Sequence, residues 1–217
     1  MTKNEIYAKM SEAIVAGERD AARTLAEDAV RSGLDLLEVV EQGYVPGIQK
    51  VGELWERGEY FLPELITSAE AMKAAMAVLD PELNRRNIGT RMGGKVVIGT
   101  VEGDIHDIGK NLVASMLQAG GFEVFDLGAD VKLERFIDKA EEVGAGMICL
   151  SALLTTTMMN QRRLIALLRD KGLRGKYKVL VGGAPASRKW AEEIGADGYA
   201  ENAVAAVKLA KSLAGRS

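Results

Sequence analysis

The sequence predicts an α + α/β fold: a small N-terminal helical bundle (cap), then a doubly wound five-stranded parallel sheet. Three observations predict it. Apolar residues recur at helical spacing through residues 1–80. A polar, glycine-bearing, aperiodic stretch follows, DPELNRRNIGTRMGG. Beyond it, short runs that are apolar at every position alternate with helical stretches, the mark of parallel strands buried on both faces. The expected boundaries are 1–80 for the helical domain, 81–94 for the linker and 95–217 for the α/β domain.

In the helical part, Ile6, Met10 and Ile14 share one helix face and Gly17 is a C-terminal stop. The second helix starts near Arg19, buries Ala22, Leu25, Ala26 and Ala29, and stops at Gly33. The third carries an N-cap aspartate, Asp35, with Glu38 three residues on to reach back to it. Pro46-Gly47 is expected to interrupt this helix, because proline lacks the backbone donor. Ile48, Val51 and Trp55 resume the stripe up to Gly58, and a last helix starts near Pro63 with Leu65, Ile66, Ala69, Met72, Met76 and Leu79 on one side. The expected strands are KVVIGTV (95–101), EVFDLG (123–128), GMICLSAL (146–153), KVLVGGA (178–184) and a short fifth near Gly198–Ala200. A helix showing Leu112, Val113, Met116 and Leu117 follows the first strand, and a final helix starts from Asn202.

The composition is that of an ordinary soluble globule, 47% apolar and 27% charged. A net charge of −3 argues against nucleic acid or an anionic membrane as the main partner. No apolar run approaches the roughly 20 residues that span a bilayer. The N-terminal stretch alternates charged and apolar residues without a signal-peptide core, and the single cysteine, Cys149, sits in an apolar run, so the expected location is cytoplasmic.

In doubly wound sheets, ligands bind outside the carboxyl ends of the strands, near the point where strand order reverses. After the first strand comes GDIHDIGKN (103–111), which holds the only histidine, His106, between Asp104 and Asp107. Strand three ends at Ser151-Ala152-Leu153-Leu154-Thr155-Thr156-Thr157 and strand four at Gly182-Gly183-Ala184. A Walker A loop is excluded: five residues, not four, lie between Gly103 and Gly109-Lys110, and Asn111 stands where Ser or Thr is needed. No G-x-G-x-x-G follows a strand, so a dinucleotide site is unsupported. One histidine and one strand cysteine cannot supply the ligand set of a zinc site. A serine triad from Ser151, His106 and Asp104 lacks the G-x-S-x-G elbow. What remains is a metal inside a macrocycle, which needs one axial protein nitrogen. Asp104 is placed to accept from the far ring nitrogen of His106, setting its tautomer, and Gly109 to let the chain turn close to a bulky ligand.

Asp104-x-His106-x-x-Gly109, then Ser151-x-Leu153, then Gly182-Gly183, resembles the three-part signature of cobalamin-binding domains, whose α/β part is flavodoxin-like. The segment VGELWERGEYFLPELI (51–66) resembles the helical cap of corrinoid proteins of methyl-transfer systems and of the cobalamin region of methionine synthase. The likeness covers the whole chain and points to corrinoid carriers of the methanol, methylamine or O-demethylation type.

The resemblance implies that His106 replaces the benzimidazole of the cofactor as lower cobalt ligand (base-off/His-on), with Asp104 tuning it. It implies that the displaced nucleotide tail enters a slot involving Ser151, Leu153, Thr155, Gly182 and Gly183, with Tyr199 and Ala200 toward its far end. Trp55, Tyr60, Phe61 and Met72 are cap candidates over the upper face, although the Met72/Met76 stripe alone reads as bundle core, and the linker is the implied hinge. The implied cofactor is cobalamin or a related corrinoid, cycling between methylcobalamin and cob(I)alamin. The implied role is a carrier in one-carbon metabolism rather than a complete enzyme. It would serve a substrate-specific methyltransferase and an acceptor methyltransferase for a thiol or tetrahydrofolate, with a corrinoid reductive activator as a further partner. Two alternatives stay open. A cobalamin-dependent sensor or regulator usually adds a DNA-binding module, and a mutase cobalamin subunit normally lacks this cap.

Overall fold

In the computed structural model, which describes residues 2–85 and 93–215, the chain divides into two compact units, Met1–Met92 and Gly93–Ser217.

The first unit is helical. Helix α1 (Lys3–Val15) opens on a capping box: the Thr2 hydroxyl accepts from the Glu5 N–H, and the Glu5 carboxylate accepts from the Thr2 N–H. Met10 and Ile14 are fully buried. Helix α2 (Arg19–Arg31) buries Ala22, Ala26 and Ala29. Helix α3 (Leu36–Glu38) is capped by Asp35, whose carboxylate accepts from the N–H groups of Leu37 and Glu38 at 3.0 and 3.3 Å. Glu38 does not return to the cap; its carboxylate pairs with Lys3 instead.

Pro46-Gly47 does not break the helix. The chain widens into a π-helical segment, Val39–Tyr44, and enters α4 (Val45–Glu56) with the proline in its first turn, where no N–H is required. A Cβ on Gly43 would lie 2.7 Å from Met10 Sδ, and one on Gly47 2.7 Å from the Ser11 carbonyl and 2.8 Å from Ile14 Cβ. These glycines therefore let α1 approach closely, a packing role that helical periodicity does not reveal.

Helix α5 (Leu62–Arg85) buries Leu65, Ala69, Met72 and Leu79 and runs through Pro81, so helix continues into the first part of the expected linker. The bond that Pro81 cannot make falls at Ala77, which is exposed. Leu83, one turn after Leu79, is fully buried. That burial stabilises by about 1.5–3 kcal/mol and offsets a proline cost of about 3 kcal/mol. The rest of the expected linker, 86–92, lies outside the described residues. Among the described residues no helix is long and apolar enough to cross a membrane.

The second unit alternates strand and helix: β1 (Gly94–Thr100), α6 (Ile108–Ala119), β2 (Phe122–Asp126), α7 (Leu133–Val143), β3 (Met147–Ser151), α8 (Thr155–Asp170), β4 (Lys178–Gly182), α9 (Arg188–Ile194), β5 (Gly198–Tyr199) and α10 (Ala203–Leu213). All strand pairs are parallel, in the order β2-β1-β3-β4-β5. Alternate strand residues feed two cores. Val97, Ile148, Leu150, Val179 and Val181 pack with Phe136, Leu164, Leu168 and Trp190 from α7, α8 and α9. Val96, Ile98, Met147, Cys149 and Leu180 pack with Ala114, Leu117 and Ala210 from α6 and α10. Burial on both faces is why these strands are apolar at every position.

The chain leaves β1 for β2 on one side and returns across it to β3 on the other, so the strand order reverses between β1 and β3. Thr100 pairs with Ser151 and Ser151 with Gly182. The three segments singled out in the sequence therefore begin from adjoining strand ends.

Candidate functional site

The loop between β1 and α6 carries the site. Asp104 is fully buried there, and its carboxylate is saturated with donors. One oxygen accepts from the His106 N–H at 3.1 Å and lies 2.8 Å from His106 Nδ1. The other accepts from the Leu153 and Leu154 N–H groups at 2.7 and 3.3 Å and from the Thr157 hydroxyl at 2.6 Å. Those last donors come from the β3–α8 connection and the first turn of α8. A single carboxylate thus ties the two sides of the switch point together.

Further bonds set the loop. The Thr100 hydroxyl donates to the His106 carbonyl at 2.9 Å. Asp130, after β2, holds a left-handed conformation (φ 54°), which aspartate tolerates better than most residues. Its N–H donates to the Asp104 carbonyl at 2.9 Å, and its carboxylate accepts from the Gly103 N–H at 2.7 Å. Lys110 is buried at the start of α6 and pairs with Asp126 at the end of β2.

Burial opposes the charge on Asp104. The bonds from Thr157, from the Leu153 N–H and from His106 outweigh it and hold the carboxyl well below the ordinary carboxylate range. In the unfolded chain the group titrates near an ordinary pH of about 4. Its stabilising contribution is therefore fully present above that pH and lost as pH falls below it. Thr157→Val removes the side-chain bond to that carboxylate from α8. It is expected to cost about 1–3 kcal/mol at neutral pH and to move the acid-unfolding midpoint of the α/β unit to higher pH. Circular dichroism across an acid titration checks this, and an unchanged midpoint would count against the stated role of Thr157.

With Nδ1 engaged by Asp104, Nε2 is the ring nitrogen left for another partner, on a side chain 48% exposed. Large apolar residues of the same two connections are exposed: Ile105 and Ile108 (77% and 84%) after β1, Leu153 and Leu154 after β3, and Met159 on α8. Among the described residues, no group of three or more His, Cys, Asp or Glu side chains is placed to hold a metal ion. A metal held by His106 Nε2 would thus take one nitrogen from the protein and its other ligands from the molecule it arrives in. A flat macrocycle with apolar edges fits this donor and this rim.

The other expected residues fall as follows. Ser151 ends β3 and Gly182 ends β4, both half-buried and paired in register. Gly183 turns the chain away with φ +111°, and the Ala152 carbonyl oxygen lies 1.8 Å from where its Cβ would be. Leu153 is exposed, and Thr155 is exposed at the start of α8. Tyr199 and Ala200, at the end of β5, are half-buried, and the Ala200 N–H donates to the Val181 carbonyl at 3.2 Å. Gly109 makes no turn. It sits in the first turn of α6, and a Cβ there would meet nothing within 4 Å. Cys149 is buried and its thiol is pushed up to about 12 by that burial, as a core residue should be. In the helical unit Met72 is fully buried core, Trp55 and Tyr60 are half-buried, and Phe61 is 63% exposed beside exposed Leu62 and Ile66.

Sequence reasoning missed Thr157, Asp130, Thr100 and Lys110. The Thr155-Thr156-Thr157 run contained a signal, since position 157 lies one turn of helix beyond Leu154. Nothing local distinguishes Asp130 from a surface aspartate.

Comparison with known proteins gives a consistent result. A family model described as a B12 binding domain matches residues 94–208, and a second model so described matches residues 6–80. A corrinoid protein of Desulfitobacterium hafniense (strain Y51) is 51% identical over 209 residues, covering 96% of this chain and 97% of that protein. Trimethylamine corrinoid protein 2 of Methanosarcina acetivorans is 48% identical over 210 residues, covering 97% of each. The solved methanol:cobalamin methyltransferase complex from Methanosarcina barkeri aligns with a TM-score of 0.82 at 30% identity, covering 100% of this chain and 82% of that one.

Proposed function

Since the chain belongs to the B12-binding family of corrinoid proteins, we propose that it carries methyl groups on a corrinoid held base-off, with His106 Nε2 as the axial nitrogen. Its cofactor is a corrinoid of the cobalamin type. The observation that carries the reading is the Asp104–His106 pair, which leaves one exposed imidazole nitrogen on an apolar rim at the switch point. When bound, the cobalt supplies the centre that accepts and gives up the methyl group.

The residues of this chain hold and orient. Asp104 accepts the Nδ1 proton of His106 and fixes the tautomer that leaves the Nε2 lone pair free. Thr157 and the Leu153 N–H keep Asp104 anionic, which raises the basicity of the ring as a ligand. Ile105 and Ile108 offer an apolar seat beside the histidine. Ser151, Leu153, Thr155, Gly182 and Gly183 receive the displaced nucleotide tail, with Tyr199 and Ala200 toward the far end.

The partners in this reading are a substrate-specific methyltransferase and a second one serving a thiol or tetrahydrofolate. A reductive activator restores the cofactor after accidental oxidation, and the location is the cytoplasm. Relatives named for trimethylamine and dimethylamine make methylamines the first donors to test. The experiment reconstitutes the full chain with hydroxocobalamin, records the visible spectrum, reduces the cobalt to Co(I) with a low-potential reductant such as titanium(III) citrate, and supplies the cognate methyltransferase with methylamines, methanol or an aryl methyl ether. A base-off, imidazole-coordinated spectrum and methyl transfer from one donor class are expected. A base-on spectrum with no transfer from any donor would sink the reading.

A further inference from the structure

Gln161, on α8, is fully buried, and both its amide nitrogen and its amide oxygen are hydrogen-bonded. Its amide nitrogen donates to the Leu150 carbonyl at 3.2 Å and to the Gly182 carbonyl at 3.0 Å. Its amide oxygen accepts from Trp190 Nε1 at 2.9 Å. Trp190, on α9, is itself held from outside: the Arg162 guanidinium lies 4.6 Å from its ring centroid and pairs with Glu193. A leucine would fill a site of this kind without any need for partners, so the amide is there for its bonds.

Those bonds fall where β3 and β4 end. Beyond the Ser151–Gly182 pair the ladder stops, and only the Ala152 N–H still reaches the Gly182 carbonyl, at 3.2 Å. Gly183 then turns away under the Ala152 carbonyl. Gln161 crosses this exit on the α8 face and locks two carbonyls from neighbouring strands to one rigid group. The last rungs of the β3–β4 ladder are thereby tied to α8 just before the exits at 151–154 and 182–184.

We infer that Gln161, anchored by Trp190, is a positioning residue that fixes the ends of β3 and β4 against α8 where the nucleotide tail is received and so makes the protein prefer a complete corrinoid over a tail-less one. This rests on the proposed placement of the tail beside Ser151, Gly182 and Gly183. The brace bonds no residue of the His106 loop directly, and the tail-less corrinoid reads any effect passed to His106 through Thr157, one turn earlier on α8.

The test titrates the full chain with aquocobalamin and with cobinamide, the same corrin without its nucleotide tail, each followed by its visible spectrum. Apo stability is measured in parallel by thermal denaturation. Gln161→Leu is expected to weaken cobalamin about tenfold while cobinamide changes by less than about twofold. Trp190→Phe removes only the indole donor and keeps an aromatic core residue, so it carries the test if Gln161→Leu does not fold. It is expected to weaken cobalamin about threefold, again without matching loss of cobinamide. Parallel weakening of both ligands would make the pair merely structural and overturn the inference. Wild-type discrimination that survives intact in both variants would overturn it alone. A wild type that binds both ligands equally would overturn the tail placement, and the inference with it.

Discussion

His106→Ala is expected to leave the α/β unit folded and to remove the nitrogen proposed to hold the cobalt. The ring is half exposed, and the backbone N–H of residue 106 still reaches Asp104 after the change. Asp104 also keeps Thr157 and the Leu153 and Leu154 N–H groups, so the loss in apo stability is about 1 kcal/mol. Cofactor binding should suffer far more. Removing a group behind a metal ligand costs about 10–100-fold, so removing the ligand itself should cost at least about 100-fold. The measurement compares visible spectra and titrations of loaded wild type and variant, then adds free imidazole. Loss of the imidazole-coordinated spectrum, with partial return on adding imidazole, is the expected result. An unchanged spectrum in the variant would remove His106 from the cobalt.

Gly183→Ala is expected to be the most damaging single methyl addition in the site. The new Cβ would lie 1.8 Å from the Ala152 carbonyl oxygen and 2.7 Å from its carbon, both backbone atoms that cannot swing aside. The backbone there has φ +111°, which an L side chain rarely adopts. Relief requires β3 and β4 to part at the rim, and a loss of about 4 kcal/mol or more follows. Gly109→Ala is the control, because a Cβ there meets nothing and the position is helical. It is expected to keep or raise apo stability, by up to about 1 kcal/mol. Denaturant unfolding of both variants separates the cases. A Gly183→Ala protein as stable as wild type would mean the two strand exits are not pressed together.

Much of the architecture is legible because it is written locally. Asp35 followed by an apolar stripe marks a helix start, and four-residue apolar runs between helices mark parallel strands. The expected interruption at Pro46-Gly47 fails because packing overrides the local instruction of the proline: a π turn with glycines against α1. Helix persists past residue 80, where the sequence is polar and aperiodic, because Leu83 is buried. Gly109 shows the converse error, a glycine expected to turn the chain that lies within a helix.

By itself the sequence determined the order of elements, the two-sided burial of the sheet and the single imidazole between strand and helix, since each follows from residue types a few positions apart. Only the tertiary structure decided what holds that imidazole. Asp104 meets Leu153 and Thr157 across 49 and 53 residues of chain, and Gln161 bridges strand ends to Trp190 across 29. Such partners cannot be found from local pattern, because their bonds exist only once the crossover from β1 through β2 to β3 has closed the sheet and brought distant strand ends to one rim.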